Sequence, residues 1–257
     1  MAYFKKTVRA GAVIEVYKYQ RANQNPNAEK RPRAVKDKPT PEQQMEVNRK
    51  NAEAKLRWTL NENFREGDLH AVFTYKKNHR PTAEESRVHL DKFMRGLRDH
   101  FKEIGVELKY ISVTEYKCKA IHHHIVMSAC DPKVLNRLWG EDPSHGHVHL
   151  SILDNTGQYR QLAEYLIKET DKTFRERNGA YFKRWNGSKN LAHPKPKVQK
   201  ISAKQWRAKP VPKNGYYIET DSVETGANQI TGLVWQRYTM VRVRPQIQKP
   251  RSPFMRC

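Results

Sequence analysis

The chain is poor in cysteine, poor in acidic residues and free of long apolar runs. Only three cysteines occur in 257 residues (Cys118, Cys130, Cys257), with no C-x-x-C spacing. An odd, scattered set of thiols excludes a disulfide scaffold and leads us to expect a reducing, intracellular setting, the cytoplasm. No stretch approaches the roughly 18 apolar residues of a membrane span, so no membrane partner is expected. The apolar run near the start, Ala10 to Val16, is interrupted by Glu15, and no small-residue cleavage site follows. We therefore do not expect a secretory signal. The chain also lacks a G-x-x-x-x-G-K-[ST] phosphate loop, which excludes nucleotide-driven unwinding by that chemistry. Acid is the scarcest component: 27 Asp+Glu stand against 49 Lys+Arg, a net charge of +22. Such an excess calls for an anionic partner, most commonly nucleic acid. With 37% hydrophobic and 10% aromatic residues the chain is too apolar for full disorder. Its length suits one sizeable domain or two small ones.

Patterning along the chain predicts a strand within Ala2–Tyr19 and a polar, basic linker over residues 20–39. Thr40-Pro41-Glu42-Gln43 is a capping box with proline at the first helical position. Ala52, Leu56, Leu60 and Phe64 then recur every four residues, one apolar stripe of a helix. Leu69–Tyr75 reads as a strand. Thr82-Ala83-Glu84-Glu85 is a second capping box, followed by Val88, Leu90, Phe93, Met94, Leu97 and Phe101 at helical spacing, with Gly105 as the stop. Val106–Glu115 and Ile121–Ser128 form a predicted hairpin. Asp131-Pro132 opens a short helix, His147–Leu153 is a strand, and a helix runs from about Gly157 to Thr170. The order strand, helix, strand, strand, helix, strand is that of a ferredoxin-like split βαβ core with an antiparallel sheet, an α+β class. Residues 171–213 hold 13 Lys+Arg against 2 Asp+Glu, half of the net charge, interleaved with Tyr181, Phe182, Trp185 and Trp206. Cations for phosphates and rings for unpaired bases suit single-stranded nucleic acid. Within this segment Lys172, Arg175, Arg177, Tyr181, Lys183, Arg184 and Trp185 are the candidate contacts. Two β-prone stretches, Tyr216–Glu219 and Leu233–Val243, close the chain. The expected division is 1–66 (strand, basic linker and helix), 67–171 (catalytic core) and 172–257 (basic segment and terminal strands).

His122-His123-His124 sits on the second strand of the predicted hairpin. Side chains alternate along a strand, so His122 and His124 share one face and His123 joins Ile125 and Met127 on the other. A hairpin centred between Cys118 and Lys119 sets Glu115 opposite His122, on the same face. Two imidazoles and a carboxylate make a borderline-hard site for a divalent ion, Mn²⁺ or Mg²⁺, with positions left open for a phosphate. On the last core helix, Tyr159, Leu162, Ala163 and Leu166 form the apolar stripe. Tyr165 and Lys168 lie on a different face at i, i+3, an exposed hydroxyl with an ammonium beside it. His147-Val148-His149 is a competing pair, but it precedes Tyr165 too closely; with His145 it reads as the polar face of its strand, a DNA-contact or auxiliary set.

His122-His123-His124 together with Tyr165-Leu166-Ile167-Lys168 resembles the HUH endonucleases, specifically rolling-circle replication initiator (Rep) proteins of bacterial plasmids and small phages. Val72-Phe73-Thr74-Tyr75 resembles a third, weaker motif of that family. The resemblance covers about residues 69–170. It departs from the family pattern in its middle residue, His123, which replaces a bulky apolar side chain. It implies a metal-dependent tyrosine endonuclease that nicks and rejoins single-stranded DNA at a replication origin. Tyr165 would be the nucleophile, Lys168 its charge partner, and Glu115, His122 and His124 the metal ligands. A host helicase and DNA polymerase would be needed as partners. Relaxases and transposases share the chemistry, and a non-catalytic nucleic-acid binder on the same fold is the rival from another class.

Overall fold

The computed structural model describes residues 2–21, 40–117, 120–176, 183–202, 205–228 and 231–243. These residues form a mixed α+β structure with antiparallel sheets and four α-helices. The expected linker over 22–39 and the hairpin turn Cys118-Lys119 lie outside the described residues. Contacts divide the chain into two units, one of residues 1–51 with 193–245 and one of residues 52–192 with 246–257.

The first unit is built on a six-stranded sheet. Strands β1 (Ala2–Ala10) and β2 (Val13–Arg21) form a hairpin where one strand was expected. Gly11, at φ 55°, makes the turn that splits them. Only the second strand carries the apolar run that drew attention in the sequence. Strands β8 (Lys197–Ile201), β9 (Tyr216–Ile218), β10 (Glu224–Ala227) and β11 (Val234–Arg242) complete the sheet, in the order β10-β11-β2-β1-β8 with β9 beside β11. Strands from both ends of the chain are thus direct neighbours, β2 against β11. One face is a small core of Ile14, Val16, Tyr238 and Met240.

Helix α1 (Pro41–Asn63) begins at the expected cap, where Gln43 N–H donates to Thr40 Oγ1 at 3.2 Å and Thr40 N–H to the Gln43 side chain at 3.0 Å. The second unit starts within it, at Ala52. Next come β3 (Leu69–Tyr75), α2 (Ala83–Glu103), β4 (Tyr110–Lys117), β5 (Ala120–Met127), α3 (Pro132–Gly140), β6 (His145–Ile152), α4 (Arg160–Glu176) and the two-residue β7 (Asn186–Gly187). The sheet order is β6-β3-β5-β4-β7, antiparallel throughout. The Thr82 capping box on α2 is present in both of its bonds, and Gly105 at φ 67° ends that helix.

Both faces of this sheet are covered in part. On one, Ile111, Val113 and Val126 pack with Leu56 and Leu60 of α1 and with Tyr159, Ala163, Leu166 and Ile167 of the α4 region. On the other, Ala71, Phe73, Ile125 and Met127 pack with Phe93, Leu97 and Phe101 of α2 and with Leu135 and Trp139 of α3. Val88, placed by spacing on the α2 stripe, is instead 65% exposed, one turn before the buried run begins.

Candidate functional site

The β4–β5 register pairs Glu115 with His122 and Val113 with His124. Direct cross-strand partners point to the same face, so Glu115, His122 and His124 converge. Glu115 Oε2 lies 3.2 Å from His124 Nε2 and 3.6 Å from His122 Nδ1. Glu115 is 3% exposed and His124 2%, while His122 opens to solvent. A carboxylate withdrawn from water needs cationic or N–H neighbours, and here two imidazoles supply them. The same donors, one carboxylate oxygen and two imidazole nitrogens, fit a borderline divalent ion.

Sequence reasoning missed a fourth member. β3 lies beside β5, and His70 Nε2 sits 3.3 Å from Nδ1 of His124, the rings stacked at 5.5 Å. Burial, with His124 next to it, pushes the His70 pKa down to about 4. His70 is therefore neutral at pH 7, and one of its nitrogens accepts while the other donates. Only the strand pairing brings His70 here; nothing in its local sequence marks it.

Helix α4 delivers the tyrosine. Tyr165 is 43% exposed, and its ring stands edge-on to His124 at 5.5 Å and to His70 at 6.5 Å. Lys168, one turn on, is exposed. Tyr159 faces the core instead: it is 4% exposed, its hydroxyl donates to the Asp154 carbonyl at 3.1 Å, and burial raises its pKa.

His123 points to the opposite face. It is 1% exposed, with Nε2 3.0 Å from the Tyr75 hydroxyl and Nδ1 3.0 Å from Thr114 Oγ1. Two hydroxyls, each able to donate or accept, satisfy both nitrogens of a neutral ring. Burial, with further contributions from His145 and other histidines, pulls its pKa down to about 3. On the edge strand β6, His147 and His149 are exposed, whereas His145 is buried and stacked on Trp139 at 3.8 Å. His145 therefore leaves the polar face expected for all three. It joins His89 and Asp142 in a group whose donor atoms lie within 4.8 Å of one another and could hold a metal ion.

The predicted DNA contacts are spread out. Lys172 and Arg175 belong to the last turns of α4. Arg177 and Tyr181 lie outside the described residues. Lys183 is exposed, Arg184 is half-buried, and Trp185 packs against the core beside α1 and α4.

A second aromatic set, absent from the sequence reading, lies on the first unit. The non-core face of its sheet carries the row Phe4, Tyr19, Trp235 and the row Lys6, Tyr17, Arg237, each a set of direct cross-strand neighbours. Phe4 stacks on Tyr19 at 5.7 Å, and Tyr19 on Tyr17 at 5.2 Å. Tyr17 meets Trp235 at 6.1 Å. Arg21 lies over Phe4 and Tyr19, 4.8 and 5.2 Å from the ring centres. Such rings with cations beside them are what base stacking and phosphate binding use.

Residues 69–174, from β3 into α4, match a family model for replication-associated proteins of the ORF2 type. The match is consistent with a Rep protein of the rolling-circle type. No curated protein and no solved structure matches the chain. No helix among the described residues is long and apolar enough to cross a membrane.

Proposed function

We propose that this replication-associated protein is a rolling-circle initiator that nicks and rejoins single-stranded DNA at an origin through Tyr165. One observation carries the reading. The exposed Tyr165 ring lies 5.5 Å from His124, whose Nε2 is 3.2 Å from a buried carboxylate, Glu115. A nucleophile candidate thus borders a donor set fit for a divalent ion. The strand order β6-β3-β5-β4, with two crossing helices, supports a ferredoxin-like HUH core for the same segment.

Glu115, His122 and His124 would hold the ion, Mn²⁺ or Mg²⁺. A divalent ion there supplies polarisation of a scissile phosphate. The chain's own residues do the rest. Tyr165 Oη attacks phosphorus, forming the Oη–P bond as the P–O3′ bond breaks. The phenolic proton is released and the 3′ oxygen takes one up, leaving a free 3′-OH that can prime synthesis. The link to Tyr165 conserves the phosphodiester, so attack by a 3′-OH rejoins the strand without nucleotide. Lys168 is placed to offset charge on the phosphate oxygens or the phenolate. His70, against Nδ1 of His124, holds that ring in orientation. A host helicase and polymerase would unwind and extend, since the chain has no phosphate loop.

The test is a denaturing gel of wild type and Tyr165→Phe with labelled single-stranded DNA from the replicon, in Mn²⁺ and in EDTA. The expected result is a protein-sized labelled band for wild type in Mn²⁺ alone. An adduct with Tyr165→Phe would overturn the nucleophile. Cleavage unchanged in a protein carrying His122→Ala and His124→Ala would overturn the metal site. Binding that persists in EDTA with no adduct under any condition would instead favour a non-catalytic binder.

A further inference from the structure

On the face of the sheet away from Tyr165, His89 of α2, Asp142 of the α3–β6 turn and His145 of β6 meet. The details of each side chain point the same way. His145 Nδ1 lies 2.6 Å from the Trp139 carbonyl oxygen, an acceptor only, so Nδ1 carries the proton. Nε2 is left with its lone pair outward. That nitrogen is fully buried and has no hydrogen-bond partner among the described residues, in a side chain only 8% exposed. An imidazole fixed through Nδ1–H to a carbonyl, with Nε2 presented, is the arrangement of a metal-bound histidine.

Asp142 is prepared in a similar way. Its Oδ1 accepts from Ser144 N–H at 2.8 Å and from the Ser144 hydroxyl at 2.6 Å. This leaves Oδ2 facing His89, with Nε2 at 3.9 Å. The gap is too long for a hydrogen bond. It is somewhat wider than the ~3.3 Å between two ligands of a tetrahedral ion at ~2.0–2.1 Å bond lengths, so a small rotation of the His89 side chain closes it. His89 Nδ1 is likewise buried without a partner among the described residues. The three side chains line a cavity of about 280 Å³ that also takes in Asp99 and Glu141, which gives room for a water as a further ligand.

We propose that His89, Asp142 and His145 form a binding site for a single Zn²⁺ or similar first-row transition ion, separate from the Glu115 cluster. Two imidazoles and one carboxylate match the protein ligands of zinc sites that leave one position to water. Mg²⁺ and Ca²⁺, which take oxygen ligands, would be poorly held. The ion would tie α2 to the α3–β6 turn. Tyr75 touches both His145 and His123, with ring centres at 5.3 and 5.7 Å. The tie would therefore steady the side chains behind the strand that carries His122 and His124.

The experiment uses the full chain with His122→Ala and His124→Ala, which removes the other candidate site. Zinc per chain is measured by atomic emission after gel filtration, along with the thermal midpoint with and without Zn²⁺. The expected result is one Zn²⁺ per chain and a higher midpoint. Both should be lost when His89→Ala and Asp142→Asn are added, and neither should arise with Mg²⁺. His89 and Asp142 are only half-buried, and Asn keeps an oxygen for the Ser144 turn. Should that background not fold, the same comparison in the wild type should still differ by one ion. Co²⁺-substituted protein gives a second reading: two hyperfine-shifted imidazole N–H signals, one of them lost with His89→Ala. No bound zinc, or equal zinc with and without the two substitutions, would overturn the site.

Discussion

His70 Nε2 lies 3.3 Å from His124 Nδ1, and on its other side His124 presents Nε2 to Glu115 at 3.2 Å. A carboxylate only accepts, so a neutral His124 with its proton on Nε2 must accept at Nδ1 from His70. For Nε2 to serve as a ligand the proton must move to Nδ1, and His70 must then accept. A neutral imidazole can take either role by changing tautomer, which is what the lowered pKa of His70 secures. His70→Ala is therefore expected to slow adduct formation about 10- to 100-fold while leaving single-stranded DNA binding in EDTA unchanged. His70→Gln, whose amide offers both donor and acceptor, should recover part of the rate. Single-turnover gels beside fluorescence anisotropy would check this; equal losses in binding and cleavage would contradict it.

Glu115 predicts a change in metal response. Its carboxylate is the acidic group that the β4–β5 register places between His122 and His124. Replacing it with Gln keeps the shape and removes the charge. The Mn²⁺ concentration giving half-maximal cleavage is expected to rise about tenfold or more, as loss of an ionic ligand weakens a divalent site. A metal titration of the cleavage rate reads this directly. An unchanged midpoint would remove Glu115 from the site.

His123 makes stability depend on pH. Its folded-state pKa of about 3 lies well below the ordinary value of 6.5, because the ring is buried. Below pH 6.5 the unfolded chain takes up a proton that the folded chain refuses. Stability is thus full above 6.5 and falls as pH drops toward 3, by about 1.4 kcal/mol per unit from this residue alone. His70 adds to the slope down to about pH 4. Urea unfolding at pH 7 and pH 5 should differ by about 2 kcal/mol or more. In His123→Leu the slope should flatten, although the orphaned Tyr75 and Thr114 hydroxyls make that variant less stable at pH 7, by about 1–3 kcal/mol.

Much of the candidate site could be read from local sequence because it depends on two short periodicities. The hairpin parity that set Glu115 against His122, and the helical spacing that separated Tyr165 from Tyr159, are both observed. The capping boxes at Thr40 and Thr82 also form as their letters suggest. What escaped the reading depends on long-range pairing. His70 reaches His124 only because β3 is inserted beside β5, a choice that no local pattern encodes. His145 leaves the polar face because the β3–β6 register shifts between Phe73 and Tyr75. Strands β8 and β10 were missed because neither is apolar: β8 is nearly all exposed, and β10 is four residues containing a glycine. The middle histidine was legible in its direction but not in its reason. His123 stands where the family has a bulky apolar residue because Tyr75 and Thr114 satisfy both of its nitrogens.

Trp235 and Gly226 carry the last prediction. They are direct partners across β10 and β11, and the indole lies flat over the glycine. A Cβ added at Gly226 would come within 2.7 Å of Trp235 Cζ2 and 2.9 Å of Cε2, which displaces the ring. The glycine thus lets Trp235 lie down beside Tyr17, extending the row of rings that Arg21 flanks. If these rings stack on unpaired bases, Trp235→Ala should weaken binding of single-stranded DNA by about 1–3 kcal/mol, with little dependence on sequence. Gly226→Ala should weaken it too, though it removes no contact group, because it tilts the platform. Arg21→Ala should instead reduce the salt dependence, by about one unit or less in the slope of log affinity against log salt. Anisotropy titrations with oligothymidine and oligoadenosine at several salt concentrations separate these effects. Equal affinity in wild type, Trp235→Ala and Gly226→Ala would mean that the rings of this face only pack against one another.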